Sequence, residues 1–156
     1  MYKQRPYVDG SKVFYGGKVR PFEGNCLDIS SPVIDQASNE RIVIGKMAHM
    51  NAEQELGVLE SAKAAWRDGS GAWPQMTAHQ RIVSIKNVAT SLKALREEIV
   101  HVLTWEIGKS VVDAESEFDR TMQFLDMSID EILAFERTEG QWRAEGGFTA
   151  KIRRGP

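Results

Sequence analysis

The sequence is poor in the residues that make most sites. Its 156 residues hold one cysteine, Cys26. No intramolecular disulfide can form, so a disulfide-stapled scaffold is excluded and a reducing cytoplasm is the default compartment. Cys26 falls in a β-like stretch with no histidine near it in sequence, so it reads as a small buried cysteine rather than a nucleophile. There are three histidines, His49, His79 and His101, and none has metal-ligand spacing to another. No apolar run approaches a membrane span, and the opening "MYKQRPYVDG" has no signal-peptide core. The net charge is −2, which gives no reason to expect a nucleic acid or an anionic membrane as partner. No G-x-G-x-x-G occurs. "LTWEIGKS" (103–110) ends like a phosphate-binding loop, but the loop's first glycine would fall at Leu103, and helix-like "LREEIVHVL" precedes it where a strand is needed. Gly108 therefore reads as a helix-terminating residue with Lys109 near the negative helix end.

What is present is an ordinary globular composition, 42% hydrophobic and 27% charged, on a chain long enough for one domain. Residues 1–50 read as strands and hairpins. Turns are predicted at Asp9-Gly10 and at Gly16-Gly17. "CLDIS" alternates, with Leu27 and Ile29 on one face, and Ser31-Pro32 favours extended or turn geometry. "DQASNE" is predicted as the hairpin loop before the strand "RIVIGKMA".

Residues 51–136 read as helical. Asn51 with Gln54, and Thr77 with Gln80, are capping boxes. Leu56, Leu59, Ala62 and Trp66 follow the first at helical spacing, on one face. "RDGSGAWP" breaks that helix. Ile82, Ile85, Ala89, Leu92, Leu95, Ile99 and Val102 follow the second box, as one long helix or as two with a bend near Arg96. After Gly108, Phe118, Met122, Leu125, Ile129 and Ile132 form an apolar stripe. Arg120, Phe124 and Met127 form a second row. That row either widens the core, with Arg120 solvated or paired to Glu117 or Ser116, or lines a cavity. In 137–156, Gly146-Gly147 is a predicted turn and "FTAKIRR" a strand.

The order of these stretches resembles the N-terminal third of the aldehyde dehydrogenase superfamily. "YVDGSKVF" is similar to its opening strand pair. "LDISSPV" with "RIVIGKMAHMNAEQE" resembles its strand, Pro, hairpin and helix entry. "VLESAKAAWRDGSGAWPQMTAHQRI" resembles its first helix, Trp-bearing loop and second helix. "LTWEIGKS" matches its Glu/Asp-x-Gly-Lys junction, and "FTAKIRRGP" is similar to the strand entering Pro-Leu-Gly-Val. "AESEFDRTMQFL" is most like the non-phosphorylating, NADP-dependent glyceraldehyde-3-phosphate dehydrogenase branch, with its Ser-Glu-x-x-Arg-Thr. The resemblance implies an α+β fragment: N-terminal β-hairpins, three or four long helices and a C-terminal edge strand. It implies that 137–156 acts as an oligomerisation arm in a homo-oligomer. It implies an aldehyde substrate and NADP or NAD in a complete enzyme. It places Arg120 on the substrate pocket, where a planar guanidinium suits a phosphate, and makes Glu106 a candidate participant in a monovalent cation site.

The nucleophilic cysteine, oxyanion-hole asparagine, general-base glutamate and cofactor domain of that family would all lie beyond Pro156. The expectation is a truncated chain that binds no cofactor and is inactive without its missing C-terminal polypeptide. The alternative is a non-catalytic helical interaction module that kept the scaffold. A free-standing module should close on a polar cap or tail, whereas "RRGP" halts mid-pattern.

Overall fold

The computed structural model describes residues 4–138 and 140–151. Strands β1 (Val8–Gly10), β4 (Cys26–Ile34) and β5 (Arg41–Ala48) form a sheet in the order β1-β5-β4. β4 and β5 are antiparallel, and β1 joins β5 in parallel. The 35–40 loop between β4 and β5 is closed by Asp35, whose amide donates to the Glu40 carbonyl at 2.9 Å, and Asn39 takes a positive φ. β4 is an edge strand with two register irregularities. Pro32 sits within it, where a strand needs no outward N–H.

Strands β2 (Lys12–Tyr15) and β3 (Lys18–Pro21) form a separate hairpin. Its turn is Gly16-Gly17 at φ 59° and 73°, the left-handed pair that a two-residue hairpin loop requires. Asp9-Gly10 is not a hairpin turn, because β1 pairs with distant β5 rather than with β2. Gly10 is there for close approach: a Cβ on it would stand 2.6 Å from the Lys46 carbonyl oxygen. Asp9 accepts the Ser11 amide at 3.0 Å, which redirects the chain into β2.

Helix α1 (Ala52–Trp66) starts at the Asn51/Gln54 box, with both reciprocal bonds formed. It ends in two left-handed residues, Arg67 and Asp68, before a short helix α2 (Ala72–Gln75). The Thr77/Gln80 box opens α3 (Ala78–Ala94), and Leu95 separates it from α4 (Arg96–Glu106), which puts the bend at the expected place. Ser110 caps α5 (Val111–Thr138), accepting the Asp113 amide at 3.1 Å. The core lies among α3, α4 and α5: Val100, Ala114, Phe118 and Met122 pack with Leu92, Ile99 and Leu103 around them. Ile129 is also buried, while Ile132 at the end of the expected stripe is exposed.

The apolar stripe of α1 lies uncovered, and one reading of burial, that of Cys26, is overturned. α1 buries no residue, and Leu56, Leu59 and Trp66 all lie exposed. The apolar stripe is real, but the side of α1 that meets the chain is the one bearing Gln54 and Ser61, which bond to the hairpin region. Cys26 is half-buried rather than buried, because β4 is an edge strand.

The chain closes with a hairpin of β6 (Trp142–Glu145) and β7 (Phe148–Lys151) around the predicted Gly146-Gly147 turn, at φ 57° and 83°. The strand reading holds for 148–151, and 152–156 lie outside the described residues. No described helix is long and apolar enough to cross a membrane.

Candidate functional site

The junction between α4 and α5 is built from β4. Ser31 is fully buried. Its hydroxyl donates to the Trp105 carbonyl in the last turn of α4 and accepts the Val33 amide at 3.1 Å. Gly108 follows at φ 68°, the left-handed geometry that stops a helix. A Cβ there would also press on Pro32 Cγ, 3.1 Å away. Lys109 then forms an ion pair with Glu117 one and a half turns into α5. The "GKS" lysine therefore serves a helix–helix joint. Glu106 ends α4 exposed to solvent. Among the described residues no group of three or more His, Cys, Asp and Glu side chains is placed to hold a metal ion.

From that joint α5 presents two faces. Phe118, Met122 and Ile129 turn into the core. Arg120, Phe124 and Met127 turn outward, with Phe124 61% exposed, so the row does not widen the core. Arg120 makes no ion pair among the described residues, and Glu117, one partner open to it, is taken by Lys109. The neighbouring Asp119 is also occupied. Arg96 grips it with two hydrogen bonds of 2.8 Å, which hold its carboxyl below the usual carboxylate range and raise the Arg96 guanidinium. The result is one unpaired guanidinium beside an apolar wall on a helix fixed at its N-terminus. Such a row can hold an anionic, partly apolar molecule. It carries no nucleophile or base, so it can bind and orient but not react.

A second concavity was not foreseen. It lies between the β2–β3 hairpin and α1, and its one sequence signal is Gly57, a glycine inside a predicted helix.

Residues 28–156 match the aldehyde dehydrogenase family. The fold is similar to the crystal structure of aldehyde dehydrogenase 21 from Physcomitrella patens in complex with the reaction product succinate. The TM-score is 0.67 at 23% identity, over 90% of this chain and 26% of that one. The chain thus spans about a quarter of that structure's length. With the family matched over most of its residues, this chain belongs to the aldehyde dehydrogenase family.

Proposed function

We propose that the chain supplies the N-terminal part of an NAD(P)-dependent aldehyde dehydrogenase and has no activity without the rest of that fold. The observation that carries this reading is the family match over 28–156 on a chain covering 26% of a structural relative. The outward stripe of α1 supports it, since Leu56, Leu59 and Trp66 are shaped to pack on something the chain does not contain. In a complete enzyme of this family NAD(P) would supply the hydride acceptor for oxidation of an aldehyde by a cysteine nucleophile. The nucleophile, base and dinucleotide fold for that oxidation belong to the remainder.

The part assigned to this chain is positioning. In this reading Arg120 receives the phosphate of a phosphorylated aldehyde such as glyceraldehyde 3-phosphate, with Phe124 and Met127 as the apolar wall. Glu106 contributes to a monovalent cation site at the helix junction, and the β6–β7 hairpin acts as the arm of a cytoplasmic homo-oligomer. The test is an assay of the 156-residue chain for aldehyde-dependent NAD(P)H formation, alone and joined to the rest of an aldehyde dehydrogenase. Activity only in the joined protein is expected. Turnover by the chain alone overturns the reading.

A further inference from the structure

The β2–β3 hairpin touches α1 at two points. At its turn the Gly16 amide donates to Ser61 Oγ at 2.8 Å. At its base Gln54 Nε2 donates to the Glu23 carbonyl at 3.3 Å. Between these points is a cavity of about 610 Å³ with a mixed lining: Val13, Phe22 and Val58 are apolar, and Arg20, Glu23 and Gln54 are polar. That volume lies within the range of small-molecule sites, roughly 300–1,000 Å³. Gly57 of α1 faces it, and a Cβ built there would meet nothing within 4 Å. A glycine inside a helix costs about 1 kcal/mol relative to alanine, and no neighbour within the chain needs the missing Cβ. At the rim, the Arg20 guanidinium lies over the Tyr15 ring, 5.1 Å from its centroid, and has no ion pair among the described residues.

We propose that this cavity binds a small aromatic monocarboxylate. The ring lies against the bare helix backbone at Gly57, where a flat body can come closer than any side chain would permit. Val13, Phe22 and Val58 supply apolar contact to its faces. The carboxylate meets Arg20, whose planar fork pairs with it at the rim. Glu23 lines the same cavity and opposes negative charge there, so the ligand carries no carboxylate beyond the one that Arg20 pairs.

The probe is 1-naphthoate, titrated into the ¹⁵N-labelled 156-residue chain and followed by amide chemical shifts. Two arms divide the ligand: 1-naphthalenemethanol keeps the rings without charge, and acetate keeps the charge without rings. Saturable shifts confined to the amides near Gly16, Arg20 and Gly57 are expected with 1-naphthoate. Losing the charge-assisted contact, by Arg20→Gln or by use of the alcohol, should weaken binding roughly ten- to a hundredfold. Gly57→Leu, which strengthens the helix and fills the space, should abolish it while helical circular dichroism is kept. Equal affinity for the alcohol overturns the carboxylate assignment. Shifts at exposed apolar residues such as Phe124 that survive Gly57→Leu, or no shifts at millimolar probe, overturn the site.

Discussion

Arg96 and Asp119 are joined by two parallel hydrogen bonds, Nε to Oδ1 and Nη2 to Oδ2, each 2.8 Å. The pair locks the first turn of α4 to the third turn of α5. Glu115 adds a further contact, 3.5 Å from Nη1, and the guanidinium also lies over the Phe118 ring. The joint is therefore a fork-shaped cation set between two carboxylates and the edge of the core.

The first prediction follows from that pair. The Asp119 carboxyl is held below its ordinary value chiefly by the Arg96 hydrogen bonds. A depressed carboxylate contributes stability above its unfolded pKa, near 3.9, and loses it as pH falls through the folded value. Asp9 and Asp35, each lowered mainly by hydrogen bonds from nearby residues, act in the same sense. Urea midpoints should therefore fall as pH drops below about 4. Asp119→Asn should be less stable than the parent at pH 7, with the gap closing toward pH 2. A gap that stays constant with pH would show that the ion pair contributes nothing.

The second prediction concerns Ser31. Replacing it by alanine leaves the Trp105 carbonyl and the Val33 amide without their partner in a fully buried position. The cost should be about 1–3 kcal/mol, seen as a loss of roughly 3–10 °C in Tm. Ser30→Ala, on the exposed side of β4, should change stability by less than about 0.5 kcal/mol. Equal effects of the two would mean that Ser31 does not tie β4 to α4.

Neither of these contacts was legible in the sequence, because each joins residues far apart in the chain; the local signals were. Both capping boxes, the Gly108 stop and the Gly16-Gly17 turn form as read, because each depends on residues within four positions of one another. The spacing allowed one long helix or two with a bend near Arg96, and the chain forms two. Facing was harder to read. Periodicity placed Leu56, Leu59 and Trp66 on one stripe correctly, but it holds no information on which side of α1 meets other atoms. Asp9-Gly10 has turn composition, yet a parallel pairing to a strand more than thirty residues away decides its geometry. Similarly, the row of Arg120, Phe124 and Met127 was visible as a row, but its exposure depends on α5 turning its Phe118 and Met122 side into the core. The pocket beside Gly57 depends on how a hairpin and a helix meet, so only the odd glycine hinted at it.

The third prediction tests the outward row in a complete enzyme. On the proposed reading, Arg120→Ala removes a charge-assisted substrate contact worth roughly 1.5–3 kcal/mol. It should lower kcat/KM about ten- to a hundredfold for a phosphorylated aldehyde. A neutral aliphatic aldehyde should be almost unaffected, and a carboxylated aldehyde reports whether the guanidinium discriminates between oxyanions. Equal losses on charged and neutral substrates would make Arg120 structural. Arg120→Lys should recover only part of the activity, since an ammonium keeps the charge but not the fork.

The last prediction concerns association. The β6–β7 hairpin exposes every described side chain except that of Lys151, with Trp142 68% and Phe148 80% exposed. A two-stranded hairpin is marginal in water without a surface to pack on. Within the hairpin, the Lys151 ammonium lies 5.8 Å from the Trp142 ring centroid, a weak contact at an exposed site. Leu56, Leu59, Trp66, Phe124 and Met127 add further uncovered apolar surface on α1 and α5. Each large side chain left in water forgoes roughly 1.5–3 kcal/mol of burial, so these seven together forgo on the order of 10–20 kcal/mol. That is as much as the whole stability of a domain. Sedimentation at micromolar concentration should therefore show the chain associating rather than running as one monomer. Trp142→Ser with Phe148→Ser should weaken that association while leaving the helical circular dichroism unchanged, because neither residue touches the α3–α5 core. A sharp monomer with a cooperative melt and no binding of an apolar dye would show that the stripes need no partner. It would shift the balance toward a self-standing helical interaction module.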